Sequence, residues 1–142
     1  MPVRKSEAEW KGGLKDGKGK MRLGSGAFEG KYNFSSRFEE GTGTNPEEMI
    51  GAAHAGCFSM QLAHLIKKEG YEPESVKTEA SVTIEKVEEG FAITSIHLKN
   101  KSKIPGIDED IFKKLAQSAK ENCPVSKALA ATDISLDAEL IS

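Results

Sequence analysis

The chain has 142 residues, 20 of them basic and 22 acidic, for a formal net charge of −2; this is the size of one domain, expected to span 1–142, and the mixed charge without a basic stripe argues against a nucleic-acid partner. Hydrophobic residues make up 37% and charged residues 30%, the balance of an ordinary globular protein with a real core. Two cysteines do not make a secreted disulfide scaffold, Met1–Trp10 carries no apolar leader, and the longest apolar stretch, Met49–Leu65, is broken by His54, Ser59, Gln61 and His64; a cytoplasmic protein without membrane association is expected.

Taken in chain order, Arg4–Trp10 alternates weakly and reads as a strand. Gly12-Gly13 and Asp16-Gly17-Lys18-Gly19 supply turns, and Met21–Gly24 and Lys31–Phe38 extend a β-meander. Asn45-Pro46-Glu47-Glu48 is the strongest start signal in the chain. It joins an N-cap, a proline at the first helical position and acidic residues at the positive end of the dipole. The helix runs to about Lys68, with Gly70 as its stop. Its middle is apolar or small on nearly every face, so it is expected to be surrounded on most sides. Val76–Val87 and Phe91–Lys99 alternate as two strands about a Glu88-Glu89-Gly90 turn. Asp108 caps a second helix with the apolar face Ile111, Phe112, Leu115, Ala116 and Ala119; Cys123-Pro124 opens a short third, and Ile134–Leu140 is a last strand. The sum is α+β, antiparallel sheet around a buried helix.

In a reducing compartment a cysteine pair is more often catalytic or metal-binding than structural. Cys57 lies in mid-helix and by itself reads equally as a small core residue, but Gly51, Ala52, Ala53, Ala55 and Gly56 crowd the turns before it, small residues that admit close approach of another segment or a substrate. Cys123 precedes Pro124 at a helix start, where open backbone N–H groups favour a thiolate, so local chemistry makes Cys123 the more acidic thiol. Arg37, flanked by Phe34 and Phe38 on an apparent strand, reads by itself as a solvated strand arginine, but its forked donors also suit holding a thiolate and a carboxylate together. Glu48 sits at the capping-box position, which leaves Glu47 for another task. His54, one turn before Cys57, reads as a core or supporting histidine ahead of a base for Cys57. No spacing among the two cysteines and three histidines matches a structural zinc site, so no metal is expected.

The run Thr42–Met60, containing Ala53-His54-Ala55-Gly56-Cys57-Phe58, resembles the OsmC branch of the OsmC/Ohr peroxidase family, and Asn122-Cys123-Pro124-Val125-Ser126 matches that family's second-cysteine motif. Trp10-Lys11-Gly12, Gly90–Thr94 and Ile104–Asp108 carry the likeness along nearly the whole chain. The resemblance implies an OsmC-like intertwined homodimer, antiparallel sheets wrapped around long central helices, and a thiol peroxidase without cofactor. It implies Cys57 as peroxidatic cysteine, Cys123 as resolving cysteine, Arg37 as activator of the thiolate and Glu47 as the carboxylate orienting that arginine. The cycle passes through a Cys57 sulfenic acid and a Cys57–Cys123 disulfide, reopened by an external dithiol, a dihydrolipoyl protein by family likeness. Organic hydroperoxides are the expected substrates, hydrogen peroxide a weaker one, with Met49, Ile50, Phe58, Phe38 and the surroundings of Pro105 as apolar lining. The rival reading is a ligand-binding or redox-sensing dimer of the same fold. One geometric expectation follows. Ten residues of helix separate Glu47 from Cys57, about 15 Å along the axis, so Glu47 serves Cys57 of the partner subunit, with Arg37 supplied by that same partner.

Overall fold

The computed structural model describes residues 1–142, which form two compact units, Met1–Met49 and Ile50–Ser142. The first opens with an antiparallel meander of β1 (Ser6–Lys11), β2 (Lys18–Leu23) and β3 (Glu29–Tyr32). Gly19 pairs with Trp10 on one side and Tyr32 on the other. The two rings meet with centroids 5.3 Å apart, and a Cβ at position 19 would come within 2.6 Å of both. Only glycine lets that aromatic pair close.

The expected third strand through Phe38 is a correction. After Tyr32 the chain turns into a short helix, α1 (Phe34–Phe38). Asn33 caps it with a full capping box: Ser36 N donates to Asn33 Oδ1 at 2.8 Å, and Asn33 N to Ser36 Oγ at 2.9 Å. Five residues cannot hold a helix by propensity. Here Ser36 Oγ also donates to the Thr44 carbonyl at 2.8 Å, and Asn45 Nδ2 donates to the Ser36 carbonyl at 3.0 Å, so the loop that follows clamps it. The unit closes on the first turn of α2 (Pro46–Lys68). Asn45 caps it as expected, accepting from Glu48 N at 2.7 Å, while the Glu48 carboxylate takes the Thr44 hydroxyl at 2.7 Å rather than reaching back to the cap.

In the second unit α2 continues to Lys68, and Gly70 follows it at φ +95, a left-handed stop. A hairpin of β4 (Ser75–Val87) and β5 (Gly90–Lys103) comes next, then α3 (Glu109–Asn122), α4 (Pro124–Ala128) and β6 (Asp133–Ile141). The sheet order is β4-β5-β6. β4 and β5 are antiparallel, but β6 joins β5 parallel, so the sheet is mixed and not wholly antiparallel as expected. The reason is connectivity: a strand reached through two helices crosses over and lands parallel.

Phe58, Leu62 and Ile66 of α2, Ile96 and Leu98 of β5 and Phe112, Ala116 and Ala119 of α3 form one buried core. Asp108 caps α3 as expected, accepting from Asp110 N and Ile111 N. β5 runs four residues beyond the expected Lys99 because its inward positions turn polar while staying paired. Asn100 Nδ2 donates to Thr78 Oγ1 at 3.0 Å and to the Lys77 carbonyl at 3.1 Å; Ser102 Oγ donates to Asn100 Oδ1, and Ser59 Oγ of α2 to Thr78 Oγ1. This satisfied network fixes the register of α2 on the sheet. Asn100→Ala, which strands the buried Ser102 hydroxyl, is expected to lower unfolding free energy by about 2 kcal/mol. Urea denaturation measures it; a loss under about 0.5 kcal/mol would show the network to be idle.

α2 departs from expectation in one respect. Gly51, His54, Phe58, Leu62 and Ile66 are buried, a stripe three or four residues apart, but Ala52, Ala53, Gly56, Met60 and His64 on the other side are exposed. Met60 is 78% accessible. Within its own chain the helix is covered along one side only. No helix is long and apolar enough to cross a membrane.

Candidate active site

The sequence-predicted residues fall into two pairs, one in each unit. In the first unit α1 presents Arg37 to the first turn of α2. Arg37 Nε donates to Glu47 Oε1 at 3.0 Å and Nη2 to Oε2 at 2.9 Å, a bidentate bridge. The Glu47 side chain is 8% exposed and that of Arg37 34%. Glu47, free of capping duty, takes the arginine. The two belong to the same chain, which corrects the expectation that Arg37 comes from the other subunit than Glu47. Arg37 Cζ also lies 5.2 Å from the Phe38 ring centroid, and Phe34 and Phe38 pack at 5.0 Å. Two of the guanidinium's N–H groups are engaged by the carboxylate; the others remain to meet an anion or a peroxide oxygen.

In the second unit Cys57 and Cys123 meet, 66 residues apart in sequence, with their Sγ atoms 2.8 Å apart as free thiols. Cys123 is held by backbone on both sides: its N–H donates to the Ala119 carbonyl that ends α3, and its carbonyl accepts from Lys127 N as α4 begins. Cys57 is partly exposed and Cys123 fully buried. Burial pushes the Cys57 thiol above its ordinary value and the Cys123 contact adds to this, with only the Val125 N–H opposing. Burial resists ionisation of Cys123 too, but the Cys57 thiol, the Ser126 N–H and hydroxyl and the Val125 N–H all face its sulfur and bring its pKa below the ordinary value. Cys123 is the more acidic thiol, as its place at a helix start implies.

His54 does not partner Cys57. Its Nε2 lies 2.7 Å from Ser126 Oγ, and burial lowers its pKa, keeping the ring neutral. Ser126 is the participant that residue-level reasoning passed over. It stands three positions after Cys123, at the third residue of α4, and that spacing was the available signal. The neutral histidine has a consequence for stability. Below its ordinary pKa of 6.5 the unfolded chain binds a proton at His54 that the folded chain refuses, so folding weakens as pH falls through that value. Urea midpoints between about pH 7 and about pH 5 are expected to drop more steeply in the parent than in His54→Gln. Equal slopes would remove His54 as a source of acid sensitivity.

The expected apolar lining is only partly placed at the surface. Phe58 is wholly buried in the core and lines nothing. Pro105 borders a cleft of about 400 Å³ with Ile104, Leu140 and Ile141, at the end of the sheet, that contains neither cysteine. Met49, Ile50 and Phe38 are partly exposed. No group of three or more His, Cys, Asp or Glu side chains is placed to hold a metal ion.

Comparison with known proteins gives concordant results. The model of the OsmC-like protein family matches residues 39–139. Peroxiredoxin OsmC of Escherichia coli is 48% identical over 140 residues, 98% of this chain and 97% of that one. The organic hydroperoxide resistance protein OhrB of Bacillus subtilis is 32% identical over 95 residues, 66% of this chain and 68% of its own length. Among solved structures, an organic hydroperoxide resistance protein OsmC from Legionella pneumophila superposes with a TM-score of 0.72 at 24% identity, covering 98% of this chain and 99% of that one, which establishes the shared fold.

Proposed function

The chain belongs to the OsmC-like protein family and is a cysteine-based peroxidase with a peroxide-detoxifying role, and we propose that it reduces organic hydroperoxides with Cys57 as the attacking thiol and Cys123 as the resolving one. The observation that carries this order is access. A peroxide must touch the sulfur it oxidises, and Cys57 is partly exposed whereas Cys123 is sealed. Acidity alone would favour Cys123, but a buried thiolate meets no substrate.

The steps balance. Cys57 sulfur attacks the distal peroxide oxygen, the O–O bond breaks, and the thiol proton leaves with the alcohol. The resulting sulfenic acid loses its oxygen as water when Cys123 sulfur attacks Cys57 sulfur, giving the disulfide. An external dithiol, by family likeness a dihydrolipoyl protein, then takes over the oxidising equivalent by thiol–disulfide exchange.

Within its own chain Cys57 is pushed away from the thiolate, so its activation needs a cation from elsewhere. Helix rise puts Glu47 about 15 Å from Cys57 along α2, too far for one small site. The Arg37–Glu47 pair therefore acts as a unit on Cys57 of a second copy in a homodimer, and the exposed small-residue side of α2 is the surface such a copy would cover. The Phe34–Phe38 pair beside Arg37 supplies apolar area for an alkyl or aryl group. Burying ~100 Å² of it adds about 2.5 kcal/mol of binding that hydrogen peroxide cannot draw on. A kcat/KM for cumene hydroperoxide at least about tenfold above that for hydrogen peroxide is expected. Equal values, measured with a dithiol donor, would remove the preference for organic substrates.

A further inference from the structure

The proposed chemistry leaves one buried titratable group unused. His54 is fully buried one turn before Cys57, with Nε2 2.7 Å from Ser126 Oγ and Nδ1 buried without a partner. A half-satisfied buried imidazole is costly and calls for a reason. The bonding inventory fixes its tautomer. A neutral ring carries one N–H and one bare nitrogen, and an orphaned N–H is the rarer burden, so the proton sits on Nε2 and donates to Ser126 Oγ. The Ser126 oxygen is then an acceptor toward His54, and its own proton is left to donate. The sulfur that this hydroxyl faces is Cys123 Sγ, 2.8 Å from Cys57 Sγ.

We propose that His54 is a positioning residue for the second cysteine: its Nε2–H holds the Ser126 hydroxyl as a donor to Cys123 Sγ and so sets the rate at which Cys123 closes on oxidised Cys57. The inference rests on the roles assigned above to the two cysteines. In the closing step the S–S bond forms as the S–O bond of the sulfenic acid breaks, and the proton from Cys123 leaves with the hydroxyl as water. No further oxidant or reductant enters. The donor chain reaches the incoming sulfur and touches neither the peroxide nor Cys57.

Stopped-flow mixing of the reduced full chain with one equivalent of cumene hydroperoxide separates oxidation of Cys57 from disulfide closure. In Ser126→Ala and in His54→Phe, closure is expected to slow about tenfold relative to the oxidation step, the worth of one hydrogen bond to a charged acceptor. The double variant is expected to be no slower than either single one, because both cut the same chain. Ser126→Thr, which keeps the hydroxyl, restores closure. Additive losses, or equal slowing of both steps, overturn the proposal. If His54→Phe does not fold, Ser126→Ala and Ser126→Thr decide it. Ultraviolet titration of the Cys123 thiolate in the Cys57→Ser background reads the same contact without peroxide, so that it stays interpretable should the assigned cysteine roles fail. A higher titration midpoint on adding Ser126→Ala supports the relay, and an unchanged midpoint overturns it.

Discussion

Cys57→Ser is expected to reduce peroxide consumption to the uncatalysed level, a fall of about a thousandfold or more, equivalent to roughly 4 kcal/mol of lost barrier reduction. A hydroxyl in that position is far less acidic than a thiol and has no sulfenic acid to form. Cys123→Ser behaves differently. Its first turnover proceeds, because Cys57 and its access to substrate are intact, but the sulfenic acid then has no thiol at 2.8 Å to close on. With each further peroxide it climbs to sulfinic acid, and activity decays. Mass spectrometry of the Cys123→Ser protein after peroxide treatment should find Cys57 carrying two added oxygens. If instead Cys57→Ser keeps its first turnover and Cys123→Ser loses it, the roles are reversed and acidity, not access, selects the attacker.

The sequence made some of this legible and not the rest, for physical reasons. The N-cap, proline and acidic first turn of α2 are local signals, and they placed both ends of the helix, Pro46 and the Gly70 stop, correctly. Strong alternation placed β4, and the family motifs singled out both cysteines, which the fold does bring together. What failed depended on partners remote in sequence. α1 falls in the stretch expected to extend the meander; its helix is stabilised by bonds from Ser36 and Asn45 that no local window weighs. β5 looked finished at Lys99 because Asn100 and Ser102 read as surface residues, yet each is wholly buried and paired. The parallel β6 was readable in principle from the strand–helix–helix–strand order. α2 looked apolar all round, and in one chain half of that surface stays bare, since composition cannot say whether the cover comes from the same chain or another. Ser126 was hidden because serine near a helix start has a bland capping explanation, and only the position of His54, 72 residues away in sequence, gives it another.

Arg37→Lys is expected to lower kcat/KM by about a hundredfold, close to the loss in Arg37→Gln, because an ammonium keeps the charge but cannot match both Glu47 oxygens while also facing a sulfur. Glu47→Gln should cost nearly as much, and the double variant Arg37→Gln/Glu47→Gln little more than either, since the pair acts as one unit. Folding is expected to suffer only modestly in Arg37→Gln, by about 1–2 kcal/mol: the buried Glu47 carboxylate loses its partner, but the partly exposed arginine side of the pair lets water enter. The decisive form of the experiment mixes two inactive proteins. In a heterodimer of Cys57→Ser with Arg37→Gln, a site shared between copies unites the intact Cys57 of one chain with the intact Arg37–Glu47 pair of the other. Equal mixing followed by subunit exchange would then recover about a quarter of parental activity, one working site in half of the dimers. If Arg37 serves the cysteine of its own chain, every site in the mixture lacks a residue and nothing is recovered. The length of ten helical residues between Glu47 and Cys57 makes recovery the expected result, because no side-chain rotation within one helix spans that rise.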